Sequence, residues 1–319
     1  MRPAFSVVFL TTLCGAAQGL LIALVGIEIS GHLGWMSASR VGQGFYVTGA
    51  VLCTALGVLG LFASFFHLGH PERAWRAIAM WRTSWLSREC LVLPVFLSCA
   101  VAYGVAHWLG SPFTLAIGMA GVLAGAALFV CTSMIYACLR FLQEWATPLT
   151  LINFVLLGCA SGFTLATVSA ACLAPALVGA LALGACMLTI AGCITRVASL
   201  LRNARLHPKS TLQSATGIKG QNVVQKSRGF TAQSFNTREF FHGRTPRTLQ
   251  AVKWAFLMGA FAVPFGLTAL GAAGVLSVGS SITVLTAAFV IQYAGLVAER
   301  WFFFAEARHP QNSYYGKAS

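Results

Sequence analysis

Residues 67–89, with the sequence HLGHPERAWRAIAMWRTSWLSRE, collect ionisable and aromatic side chains between two long apolar runs. His67 and Glu89 stand at the two ends of this segment, close to the apolar boundary on either side. An imidazole and a carboxyl group at that depth can hydrogen-bond the oxygens of a quinone head group and exchange protons with them. An apolar slot with a few convergent polar groups is the usual form of such a site. His67 and Glu89 are therefore candidate quinone-binding residues.

The same segment also fits a purely structural role. Apolar residues recur in it at spacings of three and four, on one side of a helix: Trp75, Ile78, Trp81 and Trp85. They predict a short interfacial helix near residues 72–85, with its indoles at headgroup level and its arginines toward the cytoplasm. Ser87 is predicted to cap the following span, and Glu89 to lie in the first turn of that span, where negative charge is favoured.

Long apolar runs define the expected architecture. The chain has 319 residues, of which 57% are hydrophobic, a mean hydropathy of +0.77 and no aspartate, which lies outside the range of soluble domains. A membrane crossing needs about 20 apolar residues, and eight runs qualify: 5–29, 44–66, 90–110, 113–139, 149–171, 175–201, 249–277 and 281–304. We therefore predict an all-α integral membrane protein in which residues 1–319 form one polytopic domain with eight transmembrane helices. The first run is interpreted as a retained span and not as a signal peptide.

Basic residues are distributed unevenly between the two sides of this predicted bundle. All of the 21 lysines and arginines except Arg40 fall in the termini, in the loops after spans two, four and six, or at the adjoining span ends. Positive residues in short loops stay in the cytoplasm, so both termini are predicted to be cytoplasmic. The net charge of +14 then reflects membrane orientation, and no nucleic-acid partner is expected. The basic loop 202–248 can also contact anionic membrane lipid or an acidic partner surface.

Cysteine and histidine patterns argue against a metal centre in this chain. The ten cysteines lie inside or at the edge of apolar runs without a CxxC pair, and are interpreted as small packing residues. A bis-histidine haem needs facing histidines at matched depth, whereas these histidines lie in loops, tails or span ends. We therefore expect no haem, no iron–sulfur cluster and no metal site. The GxxxG pairs Gly15–Gly19, Gly121–Gly125 and Gly158–Gly162 are assigned to packing within the protein, and Pro264 is expected to kink span seven.

The opening segment also resembles a known family motif. FHLGHPERAWRAIAMWRTSWLSRE, residues 66–89, is similar to the HLG…R…SWLSRE segment of the membrane anchor subunits of the dimethyl sulfoxide reductase family. The resemblance extends over nearly the whole chain. The stretches AFSVVFLTTLCGAAQGL at the start, SFNTREFFHG at 234–243 and ERWFFFAEARHPQNSYY near the end resemble the sulfite dehydrogenase branch of those anchors.

This resemblance implies a ligand, partners and site residues. Members of the family are eight-helix anchors without a cofactor of their own, which bind exchangeable ubiquinone or menaquinone. They lie beside a four-cluster iron–sulfur subunit, which connects to a molybdopterin catalytic subunit. The residues implied for the quinone site are His67, Arg73 and Glu89, with Trp85 and Ser87 ranked below them. The chain departs from the reductase branch at Glu72, which leaves the first three positions unaffected.

Partner docking is expected on the cytoplasmic face. Loop 202–248 carries nine basic residues against Glu239 alone, is longer than a simple connector and mixes aromatic with charged residues in SFNTREFF. We predict that it is a docking segment ordered by a partner; a disordered loop is the alternative. The residues implied for docking are Arg76, Arg82, Arg88, Arg238 and Glu239.

The expected function is that of a subunit in a heterotrimeric molybdopterin oxidoreductase of the bacterial cytoplasmic membrane. The chain would anchor the complex and pass electrons between its iron–sulfur subunit and quinone. Because the basic asymmetry places the docking face in the cytoplasm, sulfite oxidation is favoured over a quinol-oxidising anchor of the dimethyl sulfoxide reductase type. A purely mechanical anchor is a further alternative. A secondary transporter is another, disfavoured because Glu and Lys are absent from the span centres.

Overall fold

Long helices make up the fold. The computed structural model describes residues 1–35, 42–207, 211–220, 242–310 and 312. Within these residues, eight helices are long and apolar enough to cross a membrane. They are α1 (Phe5–His32), α2 (Gln43–Ser64), α3 (Trp85–Trp108), α4 (Thr114–Ala137), α5 (Pro148–Leu173), α6 (Val178–Ala204), α7 (Pro246–Ala272) and α8 (Val278–Glu306). The predicted all-α membrane fold is confirmed, and each predicted run coincides with one of these helices.

The two ends of the bundle differ in what they hold. An even number of crossings brings the start of α1 and the end of α8 together, and the Met1 amino group donates to the Ala307 carbonyl at 2.7 Å. We call this the near end, and the opposite one the far end. The connection from α2 to α3, the end of α6 and the start of α7 also belong to the near end. Of loop 202–248, residues 208–210 and 221–241 lie outside the described residues, and the part between them contains one short helix, Leu212–Thr216.

Helices α1 and α5 cross at the centre of the bundle through glycines. A Cβ atom on Gly19 would overlap the carbonyl of Gly158, and one on Gly162 would overlap the backbone of Leu20. Only residues without a side chain allow two backbones to approach this closely. Gly121 likewise faces Leu21 within the core. The assignment of the GxxxG pairs to packing inside the protein is therefore confirmed.

The cysteines lie within helices or at their ends, and four of them are buried packing residues: Cys14, Cys53, Cys131 and Cys159. All ten are free thiols. Cys14 on α1 and Cys53 on α2 are buried, and the Cys53 thiol lies 3.2 Å from the carbonyl of Ala17. Small polarisable side chains of this kind fill the interface between the two helices.

Helix α7 is irregular where its proline is expected to disturb it. A π-helical turn, Met258–Ala262, precedes Pro264 and then gives way to regular α-helix. A proline ring clashes with the carbonyl four residues earlier, which here belongs to Ala260 inside the π turn. A π-helical turn thus lies one turn before Pro264, the residue at which a kink is predicted. Gly259 in the same turn lies against α8, where a Cβ atom would be 3.3 Å from the Gly295 Cα.

The connection from α2 to α3 differs in detail from its prediction. The helix expected over 72–85 is a 3₁₀ helix, Pro71–Ile78, and turns follow it until α3 begins at Trp85. The prediction that Ser87 caps α3 is wrong, because the cap is Ser84, whose side chain accepts the Ser87 N–H at 3.4 Å. The earlier start also moves Glu89 beyond the first turn, so the predicted interaction with the helix terminus is wrong too.

Candidate functional site

Glu89 is buried between α3 and α4, close to the near end of the bundle. Its side chain is 7% exposed, and its Oε1 accepts a hydrogen bond of 2.5 Å from the Thr132 hydroxyl on α4. Among the described residues, Oε2 has no hydrogen-bond partner. A buried carboxyl group with one oxygen held and the other uncommitted is suited to hydrogen-bond or proton exchange with a ligand.

His67 lies where α2 ends. It closes the 3₁₀ turn Phe65–His67 and is exposed, and the following Leu68 is already extended. No hydrogen bond or ion pair of its ring occurs within the described part of the chain. Both ring nitrogens are therefore free to bind a ligand at the near end.

Arg73 lies on the 3₁₀ helix that follows. Its side chain is 58% exposed, and its Nε is 3.8 Å from Glu72 Oε1, which is also 2.9 Å from His70 Nδ1. Such an exposed pair contributes little to stability, because both charges remain in water. Within the described residues, no hydrogen bond or ion pair joins Arg73 to His67 or to Glu89. The structure therefore places His67 and Arg73 on the connection and Glu89 in α3, without a hydrogen bond or ion pair among the three described side chains.

Trp85 and Ser87 stand at the start of α3 and have structural roles there. The Arg88 guanidinium stacks over the Trp85 ring at 4.2 Å, and Ser87 is buried with its N–H on the cap Ser84. Arg88 also donates from Nε to the Trp81 carbonyl at 2.9 Å and from Nη2 to the next carbonyl at 2.7 Å. These bonds hold the turn before α3 and thereby fix the position from which Glu89 is presented.

The predicted docking arginines form part of an exposed surface at the near end. Arg76 and Arg82 each stack over the preceding tryptophan, at 5.5 and 5.4 Å, and both tryptophans are more than half exposed. Exposed indole and guanidinium groups suit either a headgroup layer or a protein partner. Arg238 and Glu239 lie outside the described residues.

A buried ion cluster that the sequence interpretation did not anticipate joins α6 and α8. Arg196 and Glu299 are each 2% exposed as side chains, and Arg196 Nε lies 2.7 Å from Glu299 Oε1. Arg300 Nε lies 3.8 Å from Glu299 Oε2, and its guanidinium stacks over Phe154 at 3.6 Å. Glu306 approaches Arg196 at 3.9 Å. The cavity beside these groups is about 10 Å³, which is too small for a quinone head group.

A second buried polar cluster lies at the far end. Glu28 Oε2 accepts from the Tyr103 hydroxyl at 2.8 Å, and Oε1 accepts from the Thr114 hydroxyl at 2.5 Å. His107 Nε2 is 3.5 Å from Glu28 Oε2, and its ring stacks on Tyr46 at 4.3 Å. The cluster thus joins α1, α2, α3 and α4. Its carboxylate is fully engaged by donors, unlike that of Glu89.

The apolar groove between α2 and α3 belongs to the far half of the bundle. It has a volume of about 490 Å³ and is lined by residues such as Val51, Val58 and Val101. Of its lining residues, only Thr54 and Trp108 carry a polar side-chain group, and the Thr54 hydroxyl donates to its own helix. The groove therefore offers little to recognise a polar head group.

The sequence does contain a sign of the two buried polar clusters that were not predicted from it. Glu28, Arg196 and Glu299 each interrupt a long apolar run, and ionisable residues within spans are rare and usually paired. Because these residues lie near the ends of the runs, the sequence alone suggests that they are helix-end charges that face the membrane surface. Arg196 instead lies about 12 Å along the axis before the end of α6, at 1.5 Å per residue. Their partners come from other helices, which the spacing along one run does not reveal.

Comparisons with known proteins agree with this architecture. The sequence profile described as DMSO reductase anchor subunit (DmsC) matches residues 1–235. A sulfite dehydrogenase subunit of Allochromatium vinosum is 50% identical over 328 residues, an alignment that covers 99% of this chain and 99% of that protein. Both matches include the connection from α2 to α3, and the second also includes loop 202–248 with α7 and α8.

Proposed function

The chain belongs to the DMSO reductase anchor subunit family and is a membrane anchor subunit of an oxidoreductase complex; from this premise we propose that it binds membrane quinone at the near end. It holds the quinone within reach of an iron–sulfur subunit, so that electrons pass between that subunit and the quinone pool. The substrate chemistry takes place on a molybdopterin catalytic subunit. The quinone, ubiquinone or menaquinone, exchanges with the membrane.

The observation that carries this proposal is the state of Glu89. Glu89 is a buried carboxyl near the start of α3, it is held by Thr132 through one oxygen, and its other oxygen lacks a partner among the described residues. The Glu28 carboxylate, by contrast, is engaged by hydroxyl donors. The Arg196 cluster also holds buried atoms without a hydrogen-bond partner, but its opposite charges face one another and the cavity beside it is only about 10 Å³. A group that is buried, ionisable and incompletely bonded is the best candidate for a ligand contact.

The proposed roles follow from the chemistry of each side chain. Glu89 and His67 hydrogen-bond the quinone oxygens and exchange protons with them, since carboxyl and imidazole groups are the common acids and bases near neutral pH. Arg73 supplies a fixed positive charge where negative charge develops on those oxygens. Trp85 and Ser87 contribute to the site through the start of α3, where both already have structural contacts.

The proposed physiological reaction is the oxidation of sulfite with quinone as electron acceptor. The support for this choice is the 50% identity with a subunit of a sulfite dehydrogenase. The uneven distribution of basic residues supports a cytoplasmic near end in a bacterial cytoplasmic membrane. Protons consumed at the quinone would then come from the cytoplasm. The alternative is an anchor for a reductase that oxidises quinol, which the same site residues would serve.

Replacement of Glu89 and His67 in the assembled complex tests the quinone role. Glu89→Gln and His67→Ala are each expected to lower quinone-linked turnover by about 100-fold, the order expected for lost acid–base participation. Turnover with a soluble dye that accepts electrons from the other subunits should persist. The matched control is Glu72→Gln, which alters an exposed carboxylate on the same connection. Normal quinone turnover in both variants would place the quinone site elsewhere and leave His67 and Glu89 as helix-end residues.

Docking of the soluble subunits is proposed for loop 202–248, together with Arg76, Arg82 and Arg88 and with Arg238 and Glu239. Its nine basic residues against one acid suit an acidic partner surface. Deletion of residues 219–243 is expected to release the iron–sulfur subunit from membranes while this protein stays inserted. Immunoblots of washed membranes give the measurement. Unchanged retention of the soluble subunits would refute the docking role.

A further inference from the structure

Thr132 makes an unusual hydrogen bond for a threonine inside a helix. In this chain such threonines commonly donate to the carbonyl four residues earlier: Thr11, Thr12, Thr54, Thr164, Thr167, Thr189, Thr283 and Thr286. That bond is the local default for a helical hydroxyl group. Thr132 does not make it. Its hydroxyl reaches across to Glu89 on α3 instead, although Leu128 offers the equivalent carbonyl.

This bond constrains the proposed ligand-binding group. A glutamate side chain has three rotatable bonds, whereas the β-branched threonine is stiff at χ1 and lies on a neighbouring helix. Thr132 is 9% exposed and Glu89 is 7% exposed, so water competes little for the bond. A hydroxyl that donates to one carboxyl oxygen leaves the other directed elsewhere. The bond therefore selects which oxygen of Glu89 a ligand can meet.

We infer that Thr132 is a positioning residue for the proposed quinone reaction: its hydroxyl holds Glu89 Oε1 and thereby presents Oε2 to the quinone. This inference rests on the proposed function, because it assigns Thr132 a role only through Glu89. Nothing in the sequence motif marks Thr132, which lies 43 positions from Glu89. Support by a second layer of residues is the usual way in which a reactive side chain is held to a productive geometry.

Other titratable groups near Glu89 do not replace this bond. Cys14 faces it from α1, Cys131 and Tyr136 face it from α4, and Cys90 and Arg88 flank it on α3. None of them forms a hydrogen bond or ion pair with Glu89 in the described part of the chain. The Arg88 guanidinium is occupied by backbone carbonyls and by the Trp85 ring. Thr132 is thus the donor on which the orientation of Glu89 depends.

The test compares Thr132→Val, which removes the hydroxyl at nearly constant volume, with Thr132→Ser, which retains it. Loss of this buried hydrogen bond to Glu89 is expected to lower quinone-linked turnover by about 10-fold in the valine variant. The pH dependence of quinone-linked turnover should also change in the valine variant, because the Glu89 carboxyl group loses a hydrogen-bond donor. The serine variant should restore both properties, and dye-linked turnover should stay unchanged in both variants.

Defined outcomes separate the possibilities. If Thr132→Val does not assemble, Thr132→Ala provides a hydroxyl-free variant that cannot overfill the site, and the same measurements apply. Wild-type quinone turnover and pH profile in the hydroxyl-free variant would overturn the inference, as would a loss that Thr132→Ser fails to restore. Loss of turnover in Glu89→Gln together with normal behaviour of Thr132→Val would reject this inference alone. Normal turnover in Glu89→Gln would reject the proposed quinone site itself.

Discussion

Neutralisation of Glu299 probes how much the buried ion cluster stabilises the bundle. Glu299→Gln keeps the shape of the side chain but removes the negative charge 2.7 Å from Arg196 Nε. Arg196 and Arg300 then remain buried, with Glu306 at 3.9 Å from Arg196 as the nearest carboxylate. Both guanidinium groups already have buried nitrogens without aligned hydrogen bonds. The substitution therefore leaves positive charge that the protein interior cannot solvate.

The expected loss of stability is large because both partners are buried. Removing one member of a buried pair costs about 3–5 kcal/mol, since the remaining charge is uncompensated. For a chain of 319 residues, such a loss lowers the unfolding temperature by roughly 4–7 °C. The estimate depends on the 2% exposure of each side chain. An exposed pair of the same chemistry would contribute less than about 1 kcal/mol.

Thermal unfolding of the purified protein in one detergent measures the effect. Glu72→Gln is the matched control, because Glu72 contacts Arg73 and His70 while 63% of its side chain is exposed. The control should unfold within about 1 °C of the wild type, given the small contribution of an exposed pair. A similarly small shift for Glu299→Gln would refute the reasoning, since it would mean that the cluster is not ionised or that water solvates the arginines left without Glu299.

Further predictions concern the helix crossing, the far-end cluster and the orientation. Gly162→Ala should prevent accumulation of folded protein, because its Cβ would overlap the backbone of α1, whereas Gly179→Ala meets no atom within 4 Å and should be tolerated; membrane-fraction immunoblots compare the two. Tyr103→Phe removes one hydrogen-bond donor to the Glu28 carboxylate and should lower the free energy of unfolding by about 1–3 kcal/mol. Quinone-linked turnover should not change; a loss of turnover would give the far end a functional role. Reporter fusions at Ser319 and near Arg40 should report cytoplasm and periplasm respectively; the opposite result would reverse the proposed orientation and remove the support for cytoplasmic partners.

Most of the fold was accessible from the sequence because membrane crossings impose a simple requirement. A helix that crosses hydrocarbon must be apolar over its length, so the runs coincide with α1 to α8 and the helix ends differ by a few residues. The start of α3 shows the limit. Ser84 and Ser87 both offer a capping hydroxyl, and the choice depends on Arg88, which holds the preceding turn by bonds that no local pattern displays.

The polar interior was less accessible for a related reason. Arg196 and Glu299 are far apart in the chain, and their pairing depends on how α6 and α8 pack. The contact of Thr132 with Glu89 could not be predicted either, because a threonine in an apolar helix ordinarily donates to its own helix backbone. His67 and Glu89 could be singled out since they bracket a short connection with a recognisable motif. The sequence could not show that Glu89 is buried whereas His67 is exposed.

The most direct measurement is photolabelling of the purified complex with a photoreactive quinone analogue, followed by mass spectrometry of this chain. The site proposed here predicts labelled peptides from residues 67–89 and from the α4 region around Thr132, competed away by excess natural quinone. The Glu89→Gln variant should lose most of that labelling. Competable labelling confined to the Arg196 cluster or the Glu28 cluster, or labelling that persists unchanged in Glu89→Gln, would contradict the assignment of the quinone site to Glu89.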